Sequence, residues 1–141
     1  MPSNLLYIFS DQHNRAMTGC YGHPLDVTPH LDGLAARGTR FANAYTNSPI
    51  CMPARAALAT GRYVHQIGAW DNAHAYAGEQ ESWHHRLRRQ GHRVDSIGKL
   101  HFRDGDDHGF SEEHFPLHRR GVGDVPSCAR EKMARRSLRI D

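Results

Sequence analysis

The sequence predicts an α/β layer architecture, a mostly parallel sheet flanked by helices. Three observations carry it. A short run apolar on both faces opens the chain, helix punctuation by Pro and Gly recurs, and apolar segments alternate in the order strand, helix, strand, helix, helix, strand. At 141 residues the chain has the size of one domain, since domains cluster near ~100–150 residues. Hydrophobic residues make up 38% and charged residues 23%, which excludes a chain disordered throughout.

Leu5-Leu6-Tyr7-Ile8-Phe9 is bounded by Asn4 and Ser10-Asp11 and reads as a buried central parallel strand. It is far shorter than the ~18–20 apolar residues of a spanning helix, and it lacks the basic flank and cleavage site of a secretory signal. A cytoplasmic protein without a membrane partner is expected. Residues 19–30 are loop by their Gly and Pro content. Thr28 then has the position of an N-cap with Pro29 at the first helical position, Leu31, Leu34 and Ala35 form a stripe, and Gly38 ends the helix. Thr39 to Tyr45 reads as a strand and Asn47-Ser48-Pro49-Ile50 as a turn. A second helix begins at Cys51-Met52-Pro53 and stops at Gly61; a third is expected over 79–90, with Trp83 and Leu87 on one face and Gly91 as its cap. His92 to Ile97 returns as a strand, with Gly98-Lys99-Leu100-His101-Phe102 at its carboxyl end. No internal repeat is present.

The net charge of +3 is uneven: residues 117–141 carry +4 and residues 1–116 carry −1. The basicity therefore belongs to the tail, which reads as a solvated terminus rather than a nucleic-acid surface. Cys20, Cys51 and Cys128 contain no CxxC pair, so neither a disulfide framework nor a zinc knuckle is supported. Among the twelve histidines none shows HxxxH spacing with an intervening Glu, and a zinc site is not expected.

Cys51-Met52-Pro53-Ala54-Arg55, followed by Leu58-Ala59-Thr60-Gly61-Arg62, is the most informative stretch. A Cys at a Pro-containing helix start lies where backbone N–H groups and the helix dipole favour an anion, and Arg55, one turn on, brings a cationic fork to the same spot. The bland alternative is a small buried hydrophobe. Asp11 and Gln12 have an equally plain reading as a strand-ending turn, and Lys99 and His101 as a solvated strand end.

The pattern C-x-P-x-R…L-x-T-G-R resembles the signature of the type I, formylglycine-dependent sulfatases of the alkaline-phosphatase-like superfamily, with Ala54 where the usual form has Ser. Tyr7-Ile8-Phe9-Ser10-Asp11-Gln12 resembles the family's first strand and metal-binding acidic pair, with Gln12 for the second Asp as in the choline-sulfatase and phosphonate-monoester-hydrolase branches. Gly19-Cys20-Tyr21-Gly22-His23-Pro24 with Thr28-Pro29-His30-Leu31-Asp32 resembles the connecting segment, and Gly98-Lys99-Leu100-His101 the Gly-Lys-x-His element that binds sulfate.

The resemblance spans roughly residues 4–116 and implies the incomplete N-terminal part of an alkaline-phosphatase-like fold, with residues 117–141 as a basic tail. It further implies that Cys51 is oxidised to formylglycine by a formylglycine-generating enzyme and that the hydrated aldehyde attacks the sulfur of a small-molecule sulfate ester. A calcium ion would be held by Asp11, Gln12 and oxygens at position 51. Arg55 would orient the formylglycine, while Lys99 and His101 would bind the sulfate. Further ligands in the family come from well downstream, so this chain is expected to supply at most half a metal cage, to lack meaningful turnover and to be poorly stable in isolation. The alternatives are a phosphonate or phosphate monoester hydrolase of the same superfamily, permitted by Gln12, or a non-catalytic remnant.

Overall fold

The computed structural model describes residues 4–25 and 27–118. The basic tail beyond residue 118, with Cys128, lies outside the described residues. The chain forms two units, Met1–Tyr45 and Thr46–Asp141.

In the first unit two 3-10 turns, Arg15–Met17 and Gly19–Tyr21, precede helix α1, Pro29–Arg37. Asn14 caps the first turn by accepting from Ala16 N at 2.9 Å. The limits of α1 follow its Pro and Gly, as expected, but Thr28 does not cap it through its side chain. The Thr28 hydroxyl instead accepts from Gly19 N at 2.9 Å and donates to the Asp32 carboxylate at 3.2 Å. Asp32 also accepts from Cys20 N at 2.6 Å. This knot ties the turn to the first turn of α1, and a Cβ on Gly19 would lie 2.1 Å from an Asp32 oxygen.

Two expected strands are absent from this unit. Residues 5–9 have no ladder partner and are exposed, Ile8 at 79%, so the buried central strand is corrected to an exposed segment. Thr39 to Tyr45 likewise forms no strand. An apolar run states only that a segment suits a sheet; the ladder needs a neighbour, and none exists among the described residues of this unit. The Leu31 and Leu34 stripe of α1 is exposed for the same reason.

The second unit contains α2 (Cys51–Thr60), α3 (Val64–Ile67), α4 (Trp83–Arg89), β1 (Asp95–Ile97) and β2 (Glu112–His114). Helix α2 is rich in alanine, so α3 and α4 both approach it closely. Gly61, at φ 66°, closes it with its N–H on Ala57 O. Ala56, Ala59, Ala69, Tyr76 and Phe102 form the core, with Ile67, Leu100 and Phe110 against it. Strands β1 and β2 pair in parallel, Asp95 opposite Glu112. The expected strand 92–97 is thus shorter, and β2 and α3 were not anticipated.

The helix expected over 79–90 starts four residues later because Ser82 is its N-cap. The buried Ser82 hydroxyl accepts from His85 N at 3.2 Å, while His85 Nδ1 takes the Ser82 N–H at 3.2 Å, so a histidine fills the usual Glu or Gln role of the capping box. The buried side chain of α4 is His84 rather than Trp83 or Leu87. Its ring stacks on Phe110 at 4.0 Å, and its Nδ1 faces His108 O at 3.2 Å. Loop 107–109 presses on this helix start. Arg88 forks onto Asp107 at 2.9 and 2.5 Å, holding that carboxyl down at about 2, and a Cβ on Gly109, at φ 94°, would lie 2.3 Å from His85 N.

Two outcomes follow from this packing. Gly109→Ala combines a left-handed backbone with a clash on backbone and is expected to destabilise the chain by at least ~2 kcal/mol, read from urea midpoints by circular dichroism. Burial lowers His84 from its ordinary 6.5 to about 4. The unfolded chain therefore takes up this proton first, and stability falls as pH drops from 6.5 towards 4. In urea midpoints measured across that range, His84→Phe is expected to flatten the decline, and an unchanged slope would rule the assignment out.

Candidate active site

Cys51 is the first residue of α2 and is half-buried. Ile50, with φ −106° and ψ 142°, precedes it and has no side chain able to cap, so the first turn must be satisfied from elsewhere. Asn72 does this: its Oδ1 accepts from Met52 N at 3.0 Å, and its Nδ2 lies 4.0 Å from Cys51 Sγ. Asn72 therefore holds the helix start and touches the sulfur at once. It was missed in the sequence because an Asn twenty residues downstream carries no spacing signal.

Arg55 follows one turn later and is 7% exposed. Its Nη1 donates to the backbone carbonyl of Lys99. This bond joins α2 to segment 98–102, so the structure brings the Cys-x-Pro-x-Arg and Gly-Lys-x-His motifs together within one unit. Segment 98–102 is held from its other side: Gly98 N donates to His114 O at 2.8 Å, and Leu100 N to Pro116 O at 2.7 Å. His101 is buried and adopts φ 63°. A non-glycine residue in that region costs of the order of 1–3 kcal/mol and persists only where its surroundings impose it. Lys99 is half-buried beside it.

Asp11 and Gln12 belong to the first unit, where they form a turn at the end of segment 4–10. Gln12 is also left-handed, at φ 54°. Two of the non-glycine residues with positive φ, Gln12 and His101, are thus residues singled out by motif. The donors at 11 and 12 are oxygen only, a set that suits a hard divalent cation such as calcium. Cys51, Arg55, Lys99 and His101 lie in the second unit.

Asn72→Ala removes the acceptor for Met52 N, and a lost N-terminal cap costs about 0.5–2 kcal/mol. A fall of that size in unfolding free energy is expected, with Asn72→Asp recovering most of it; equal losses in both variants would show that the oxygen is not the stabilising atom.

A family model described as Sulfatase matches residues 3–121. An N-acetylglucosamine-6-O-sulfatase of Bacteroides thetaiotaomicron is 35% identical over 98 residues, 70% of this chain and 18% of its own. The uncharacterized sulfatase YidJ of Escherichia coli is 42% identical over 106 residues, 74% of this chain and 21% of its own. Human arylsulfatase A is 35% identical over 124 residues, 84% of this chain and 24% of its own. Among solved structures, BT4656 in complex with its substrate D-glucosamine-2-N,6-O-disulfate superposes with a TM-score of 0.68 at 34% identity, covering 73% of this chain and 21% of that one. The chain thus spans about a fifth of the length of these relatives. With the architecture matched and the family model running through both motifs, this chain belongs to the sulfatase family.

Proposed function

We propose that this chain carries the nucleophile and part of the anion-binding wall of a sulfuric ester hydrolase acting on small-molecule sulfate monoesters. The supporting observation is the Arg55 bond to the Lys99 carbonyl, which ties the cysteine motif to the Gly-Lys-x-His motif. The relatives named above include one named for a sugar 6-O-sulfate and one named for aryl sulfates; the ester they share is the substrate class proposed.

Cys51 is the precursor of formylglycine, made by a formylglycine-generating enzyme. As its hydrate that group supplies one hydroxyl for attack on sulfur and a second whose deprotonation releases sulfate. A divalent cation, calcium in this reading, is the group that the family resemblance assigns to Asp11, Gln12 and residue 51; when bound it would lower the nucleophile's pKa while offsetting sulfate charge. The remaining work falls to the chain's own side chains. Arg55, anchored on Lys99 O, keeps a permanent positive charge one turn from position 51. Lys99 and His101 donate to the sulfate oxygens, which gain charge as the S–O bond breaks. Asn72, in contact with Met52 N and Cys51 Sγ, fixes the orientation of residue 51.

The test is mass spectrometry of the peptide containing residue 51 after aerobic co-expression with an active formylglycine-generating enzyme. Loss of sulfur with gain of an aldehyde oxygen is expected in the parent chain and abolished in Cys51→Ala. A thiol that persists while a control sulfatase is converted would overturn the proposal.

A further inference from the structure

His108, Glu113 and His118 converge at the foot of β2. Glu113 Oε1 lies 3.1 Å from His108 Nδ1, and Glu113 Oε2 lies 2.5 Å from His118 Nε2. One ligand atom from each residue can be chosen so that all three lie within 4.8 Å of one another. None of the three belongs to the set Asp11, Gln12 and Cys51. We propose that they form a binding site for a divalent transition-metal ion of the kind zinc represents.

Three observations support this assignment. Two imidazoles and one carboxylate are a donor set that nitrogen-preferring ions favour over calcium, and three protein ligands leave one coordination position open. His108 is 1% exposed and the His118 side chain 10%, yet His108 Nε2 and His118 Nδ1 both lack a hydrogen-bond partner. Such buried nitrogens are rare unless something else occupies the group. Finally, the side chains of Glu113 and His118 keep some contact with solvent, 22% and 10%, so an ion has a way in.

The ion would close a ring from His108 in loop 107–109, through β2, to His118. Phe102 packs against both histidines, its ring centroid 5.0 Å from that of His108 and 6.3 Å from that of His118. Binding would therefore restrain the residue that follows His101. Sequence inspection passed over the site because 108, 113 and 118 follow neither helical nor knuckle spacing; the loop and strand bring them together.

The test titrates the 141-residue chain with Zn²⁺ by calorimetry and with Co²⁺ by visible absorption. One equivalent is expected, with a cobalt spectrum free of a thiolate charge-transfer band and a zinc-dependent rise in Tm. His118→Ala and Glu113→Gln are each expected to weaken Zn²⁺ at least ~10-fold, and both sit at the partly open side of the cluster. His65→Ala, exposed and remote in sequence, is the control that should leave affinity unchanged. The absence of saturable binding in the parent chain would overturn the proposal. So would affinity unchanged in both variants, or a thiolate band assigning the ion to a cysteine.

Discussion

A buried guanidinium governs the second unit. Arg55 is removed from water in the first turns of α2, and a charge in that position must find oxygen acceptors or destabilise the fold. One acceptor is the Lys99 carbonyl, which is available only if segment 98–102 leaves β1 at the correct angle. The left-handed Gly98, at φ 95°, and the left-handed His101 make that angle. Donation to the carbonyls of His114 and Pro116 holds the segment from the other side. The arginine thus couples the residue that follows Ile50 in the helix to a loop more than forty positions away.

The core of the same unit packs histidine and aromatic rings against small aliphatic side chains, chiefly alanines. Tyr76 meets Phe102 edge-on at 5.0 Å, Phe102 meets His108 at 5.0 Å, and His84 stacks on Phe110 at 4.0 Å. Imidazoles in such a core are kept neutral by desolvation, which lowers the pKa of both His84 and His108. The core therefore depends on protonation state in a way that a leucine core would not. The same burial leaves His108 Nε2 without a hydrogen-bond partner.

Elements marked by backbone-restricting residues were legible in the sequence. Helix α1 begins at Pro29 and ends before Gly38, and α2 ends at Gly61, because Pro and Gly act on their own φ and need no distant partner. The strands were not legible to the same degree. Leu5 to Phe9 and Thr39 to Tyr45 have strand composition but no ladder among the described residues, whereas Glu112–His114, polar throughout, is a strand because Asp95–Ile97 lies beside it. Helix α4 is shorter than its pattern because Ser82 engages His85 and the carbonyl of His108, a contact made across twenty-six residues. Trp83 and Leu87 marked a face by period alone, and His84 took the interior because Phe110 was there to receive it.

The candidate site divides along the same line. Motif order along the chain determined the family, and with it the chemistry proposed for Cys51, Arg55, Lys99 and His101, because each motif is a run of neighbours whose spacing the backbone preserves. Tertiary structure alone decided that Arg55 reaches Lys99, that Asn72 serves the start of α2, and that His108, Glu113 and His118 face one another. Those are contacts between positions with no local relation, and only the closure of loops around a shared core brings their atoms within bonding distance.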